Sequence, residues 1–275
     1  MKKNLLLLVM LSFACCSKRE SHLPRLIVPK ADTVVHVNTK KMLESSAPII
    51  ALNFIKDTTI LRYKGNEHIF GTTVKLRQVI PHEDVPKYDI KVIIDTAYAF
   101  APNGFIYKNV RFEKTNPAGK IGFDGVDFES VFGMMSVHVD AWPVLLYNNS
   151  NSEAILGSDT TLDAYEMIQE ALDTDGQWKP IEFSFGMFPC CTCSDEFIIA
   201  PKHYSATAII KYHGDFKTKI RVKLRSHQNV YYSNVISGTI NRSQFNQDFI
   251  RSFLMDRRKD DPAFFEDYKK IMFLK

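Results

Sequence analysis

Three cysteines fall within four positions in the stretch FPCCTCSDE, at Cys190, Cys191 and Cys193. Thiolates are soft ligands for zinc or copper, and a CxxC pair can also form a disulfide or pass electrons. Each chemistry needs a setting. Structural zinc usually draws on two separated ligand pairs, so His203 and His213 on the following segments would have to fold back onto this one cluster. A redox CxxC sits where a strand runs into a helix whose N-terminus lowers the thiol pKa, whereas strand-like sequence flanks this cluster on both sides. In an oxidising compartment a Cys190–Cys193 bridge would close a tight loop and leave Cys191 spare. The cluster is therefore expected to shape a loop, with no metal and no cofactor. Thiol redox chemistry or metal binding by Cys190, Cys191 and Cys193 is the alternative.

Other groups with chemical potential are sparse. His138 and Asp140 stand two apart on a predicted strand and so share a face, the minimum for a ligand pair or an oriented base. A general base also needs a cleft and a nucleophile, and no such grouping is visible. The loop PHEDVP, residues 81 to 86, is bounded by prolines and reads as solvated. There is no HExxH, GxSxG, P-loop or Rossmann glycine pattern. No catalytic residues are assigned, and an enzyme is not expected. Trp142 and Trp178 could stack on a sugar, although core burial is the commoner fate of an indole in a sandwich.

The most informative surface is DFKTKIRVKLRSH. Lys217, Lys219, Arg221, Lys223 and Arg225 alternate with Phe216, Thr218, Ile220, Val222 and Leu224, so a strand would carry the cations on one face and a mostly apolar row on the other. At about 3.3 Å per residue the basic row runs roughly 26 Å, long enough to track an anionic polymer. The competing expectation is that these charges simply solvate and protect a strand, with Glu166 and Glu170 opposite neutralising them. The basic face of this strand carries no stacking aromatics, which argues against nucleic acid.

Short alternating or β-branched runs separated by turn residues dominate residues 31 to about 256 and predict a mainly β, antiparallel architecture. Asn103-Gly104 should turn one hairpin and DTDG, residues 173 to 176, another, with Pro180 marking an edge or bulged strand. Ser243 should cap a helix over QFNQDFIRSFLM. Asp261 should cap a second, with Pro262 at its first position and Phe264, Phe265, Tyr268 and Met272 along one face.

At the N-terminus, MKKNLLLLVMLSFACC has two lysines followed by an apolar run too short to span a membrane, the anatomy of a secretion signal. The residues SFAC resemble the lipobox of bacterial lipoproteins, in which a cysteine after a small residue is acylated and becomes the new N-terminus. Here the box is loose, because the favoured leucine falls at Leu11, one place early. Ala14 points to Cys15 as the acceptor, with Cys16 as the alternative. An ordinary cleaved signal peptide is the other reading. Loss of Lys2 and Lys3 would lower the net charge from +4 to about +2, which says little about partners. Ser17, Lys18 and Arg19 follow the box in place of an acidic run, which favours the outer membrane with the protein facing the periplasm.

The segments AWPVLLYNNSNSEAIL, MIQEALDTDGQWKPIEF, GDFKTKIRVKL and YYSNVISGTINRSQF resemble an uncharacterised group of bacterial envelope lipoproteins over roughly residues 139 to 247. That resemblance implies an immunoglobulin-like β-sandwich in which a strand ending in NNS leads to the partner sheet; it implies no activity. The expected organisation is a signal peptide over 1–15, a tether over 16–30, an N-terminal β-rich domain over 31–125 and a β-sandwich with a helical segment over 132–275. Four glycines in 116–133 mark the boundary. The expected function is a non-catalytic envelope lipoprotein, held to the membrane by its lipid, that binds an envelope protein or an anionic glycan.

Overall fold

A computed structural model describes residues 23–27, 33–45, 50–55, 60–62, 86–102, 138–159, 164–184, 196–248 and 262–275. In chain order its strands are β1 (Arg25–Ile27), β2 (Val34–Val35), β3 (Leu43–Glu44), β4 (Ala51–Phe54), β5 (Ile60–Arg62), β6 (Ile90–Ile94), β7 (His138–Val139), β8 (Ala141–Asn148) and β9 (Ala154–Asp159). There follow β10 (Ala164–Tyr165), β11 (Met167–Leu172), β12 (Trp178–Pro180), β13 (Glu182–Phe183), β14 (Glu196–Ile199), β15 (Tyr204–Ile210), β16 (Phe216–Ser226), β17 (Asn229–Tyr232) and β18 (Ile236–Ile240). Among the described residues a helix, α1 (Pro262–Met272), follows the strands. The protein is mainly β and its larger sheets are antiparallel.

A four-stranded sheet runs β4-β15-β8-β6, and a five-stranded sheet runs β12-β11-β16-β17 with β18 also paired to β16. β15 is buried at every position and β8 at all but one, so the middle of the four-stranded sheet is covered on both faces. The near-continuous apolar run AWPVLL reflects that double burial. In β16 the alternation is resolved as expected: Ile220, Val222 and Leu224 are fully buried while Lys217 and Lys219 are exposed. The two sheets join at one edge. The Asn234 side chain accepts from Ile94 N–H at 2.7 Å and donates to Ile94 C=O at 3.1 Å, standing in for a strand neighbour of β6. Tyr231 Oη accepts from Tyr88 N–H beside it. The layers therefore curl round one core.

β8 ends at Asn148, whose buried amide donates to the carbonyls of Ser152 and Ile199 and accepts from Ser150 N–H. This side chain ties the turn after β8 to the end of β14 as the chain crosses to a three-stranded sheet, β10-β9-β14. The DTDG hairpin forms, with Gly176 at φ 77°, the left-handed region that glycine enters at least cost. β12, which carries Pro180, is an outer strand, where its missing N–H leaves no gap in a ladder.

Several expectations are corrected. The tether over 16–30 contains β1, which pairs in parallel with β5 and buries Leu26 in the core. The apolar side chain of Leu26 outweighs the flanking charges, and Tyr98 Oη accepts from its backbone N–H. The division into 31–125 and 132–275 is not followed by the strand pairing. β4 and β6 belong to the same sheet as β8 and β15, and β2 and β3 pair with β7 and β13. The described parts of both halves therefore share one core, since neither set of strands has enough partners alone. The glycine-rich stretch 116–133 and the Asn103-Gly104 turn lie outside the described residues. Of the helix expected over QFNQDFIRSFLM after Ser243, the described start is a 3-10 turn, Arg242–Phe245, followed by Asn246 in an extended conformation, and residues 249–255 lie outside the described residues. Phe245 there meets Phe216 edge to face. The helix expected from Pro262 is present, with Tyr268 and Met272 buried and Phe264 half-buried against them.

Candidate functional site

Among the described residues, two clusters of charged side chains bear on function. The first is the outer face of the five-stranded sheet. Its registry sets Glu170 opposite Arg221 across β11 and β16, while Glu166 lies just before β11. Arg221 meets Glu170 Oε2 at 2.6 Å, and Arg225 binds Glu166 through two nitrogens at 2.8 and 3.3 Å. The Arg221 guanidinium also lies between two rings, 4.3 Å from the Trp178 centroid and 4.1 Å from that of Tyr232. Such stacking suits the planar, weakly hydrated guanidinium.

Lys223 departs furthest from the picture of a solvated basic row. It is only 6% exposed, because the end of α1 lies over it. Its ammonium donates to Phe273 C=O at 3.0 Å, with Glu170 Oε1 at 3.9 Å. Burial pushes the Lys223 pKa down, and the Glu170 carboxylate pulls it back. Of the five cations in the row, Lys217 and Lys219 are exposed, and Lys219 donates to Ser237 Oγ at 3.0 Å. A continuous row of five water-facing charges is thus replaced by two exposed lysines at one end, two ion pairs and one buried lysine.

The second place is a rim where three chain segments are laced by their backbones. Asp140 N–H donates to Val35 C=O, Lys211 N–H to Asp140 C=O and His213 N–H to Val37 C=O, all at 2.8 to 2.9 Å. His36 projects outward between buried Val35 and Val37, as alternation along an extended segment requires. Gly214 follows His213 directly beneath the Ile240–Asn241 backbone, where a Cβ would collide with the Ile240 carbonyl. Only glycine lets the chain leave His213 along this path.

The side chains converge on one oxygen. Asp140 Oδ2 stands 3.1 Å from His36 Nδ1, 2.9 Å from His213 Nε2 and 3.4 Å from Lys211 Nζ. The two imidazole nitrogens are 3.2 Å apart, with the rings edge to face. Asp140 is 11% exposed at its side chain, while His36 is 62% and His213 39% exposed, so the carboxylate forms the floor and the imidazoles the open side.

This arrangement reassigns the histidines. His138 does not join Asp140; its Nδ1 lies 2.8 Å from Ala101 C=O. His203 Nδ1 lies 2.7 Å from Pro201 C=O, in its own turn. His213 meets Asp140 and His36. His36 carries no signal in the sequence, being one polar residue in TVVHVN with partners 104 and 177 positions away. Trp142 is buried in the core, whereas Trp178 is half-buried on the outer face against Arg221. Cys15, Cys16, Cys190, Cys191, Cys193 and residues 81–85 lie outside the described residues.

Beneath the rim, Glu182 is fully enclosed between the sheets. It accepts from Tyr212 Oη–H at 2.8 Å and from the Gln169 backbone and side-chain amides at 2.9 and 2.8 Å. Burial pushes its pKa up against the pull of these donors. Tyr212 is thereby pinned to the core while its neighbours Lys211 and His213 reach the rim.

Comparison with protein-family models, curated proteins and solved structures finds no match for the chain. No helix among the described residues is long and apolar enough to cross a membrane.

Proposed function

We propose that the protein is a non-catalytic cell-envelope lipoprotein, anchored through Cys15 or Cys16, whose outer sheet face binds an anionic glycan. The observation that carries the reading is the pairing of exposed Lys217 and Lys219 with the Trp178–Arg221–Tyr232 stack on the same sheet. Sugar rings lie against aromatic faces, and their acidic substituents pair with ammonium groups. Tyr232 is 48% exposed, so the stack is accessible at that end. Glu170 fixes Arg221 between the rings, which makes the platform rigid before any ligand arrives. Lys223 is not part of this surface. The anchor rests on the N-terminal residues, and it would place the glycan-binding face close to envelope polymers.

The test uses full-length protein in detergent and an acidic envelope polysaccharide, with binding measured across a salt series. Reversing Lys217 and Lys219 together to Glu should weaken binding by about tenfold or more and flatten its salt dependence. Tyr232→Ala should weaken it independently of salt. Equal binding by wild type and both variants overturns the glycan reading, and capture of an envelope protein unaffected by polysaccharide would replace it with a protein partner.

A further inference from the structure

We propose that His36, Asp140 and His213 form a binding site for a divalent transition-metal cation of the zinc class. This departs from the expectation of no metal site and does not depend on the glycan reading. The three donor atoms are His36 Nδ1, His213 Nε2 and Asp140 Oδ2, separated by 3.1, 2.9 and 3.2 Å. Ligand atoms held about 2.0–2.1 Å from one cation stand about 2.9 Å apart at right angles and about 3.4 Å apart at tetrahedral angles. The observed triangle falls in that interval without any side chain having to move far.

Hydrogen bonding alone serves this triangle poorly. Each ring nitrogen offers either one proton or one lone pair, and the carboxylate oxygen only accepts, so at most two of the three edges can be hydrogen bonds. A cation above the triangle satisfies all three lone pairs at once. Two imidazoles and a carboxylate are also the mixed donor set that borderline metals take, in contrast to the all-oxygen set preferred by calcium or magnesium.

The scaffold is built for such a load. Backbone hydrogen bonds link the three ligand-bearing segments directly, and Tyr212 is anchored to Glu182 below them. Ligands on paired extended segments are held more closely than ligands on loops. The exposed imidazoles leave the remaining coordination positions facing water, the pattern of an open rather than a closed site.

Lys211 is the charged group that opposes the metal. Its ammonium stands 3.4 Å from the same Asp140 oxygen and competes for it, yet at 39% exposure it has room to swing into solvent. Lys211 therefore gives the site a neighbour whose removal should act in the opposite direction to removal of a ligand.

The test takes the full-length chain in detergent, without a histidine tag, stripped by chelator and titrated with Zn²⁺ against a competing indicator. One zinc per chain is expected at the site. His36→Ala and His213→Ala should each weaken its binding by more than about 100-fold, the upper end of what loss of a mere supporting contact costs. Lys211→Gln should tighten it several-fold. Circular dichroism of the metal-free variants separates loss of the site from loss of the fold. Co²⁺ as a spectroscopic probe distinguishes this site from Cys190, Cys191 and Cys193, because nitrogen and oxygen ligation gives no thiolate-to-cobalt charge-transfer band. Zinc affinity unchanged in the His36→Ala/His213→Ala double variant, or cobalt bound only with a thiolate band, overturns the proposal. Should a histidine variant fail to fold, Lys211→Gln decides: tighter binding supports the site, and unchanged or weaker binding overturns it.

Discussion

Glu170 and Asp140 are both carboxylates at the edge of the core, each with more than one nitrogen-bearing neighbour, but they are built in opposite ways. Glu170 sits on β11 beside cations of the adjacent strand, Arg221 at 2.6 Å and Lys223 at 3.9 Å, and α1 roofs part of the group. Asp140 gathers His36, His213 and Lys211 from segments that meet only in the folded chain, and its partners stay open to water. In the first case the charges are consumed by the architecture. In the second, one oxygen faces more nitrogens than it can satisfy. A charge that completes the fold and a charge free for a ligand differ here in coverage and in donor count, not in residue type.

The largest effect should come from the covered group. Glu170→Ala leaves Lys223 buried without its nearest anion and Arg221 held by stacking alone, a loss of about 3 kcal/mol on the scale for breaking one side of a buried ion pair. Urea denaturation of full-length protein measures it. Adding Lys223→Met to that variant should recover part of the loss, because a methionine of similar length needs no counter-charge under α1. A loss below about 0.5 kcal/mol, or no recovery, would mean that the row is solvated and the contrast with Asp140 false.

Asp140→Asn should cost less, no more than about 1 kcal/mol in chelator-treated protein, since its partners are substantially exposed and their attraction is screened. The same denaturation midpoint checks it. A cost matching that of Glu170→Ala would turn the rim into a structural ion network and remove the basis for the contrast.

What could be read from the chain follows the same division. The period-two face of β16, the DTDG turn with Pro180 on an outer strand, and the helix begun by Pro262 all depend on residues within a turn or two of each other. Local chemistry specifies them. Lys223 shows the limit of that reading: alternation places it outward correctly, yet only the packing of α1 buries it. β1 was hidden because three residues of RLI look like any tether until β5 lies alongside. The rim was hidden more deeply, because His36 pairs with Asp140 and His213 across separations of 104 and 177 residues, and no spacing rule reaches so far. At Ser243 the described residues show a 3-10 turn whose Phe245 meets Phe216, and the rest of the expected helix, residues 249–255, lies outside the described residues.

Asp173 offers the smallest effect and the sharpest control, being a carboxylate whose main partners lie within its own hairpin. Lys179 Nζ reaches Asp173 Oδ2 at 2.6 Å and Asp175 Oδ2 at 2.7 Å, and Thr174 N–H donates to Asp173 Oδ1 at 2.7 Å. The Lys179 hydrogen bond and then the Thr174 N–H draw the Asp173 pKa down to about 2. A depressed carboxylate pKa contributes stability above the unfolded value of about 4, and that contribution fades as pH falls through the folded value. Carboxyl NMR of full-length protein should therefore show Asp173 titrating near pH 2, and Lys179→Met should return it toward the ordinary carboxylate range. Asp140→Asn should leave that midpoint untouched, since the hairpin assembles its own partners. A shift of Asp173 in the Asp140 variant would show that the rim and the sheet edge are coupled, and the two carboxylate environments could then no longer be treated as independent.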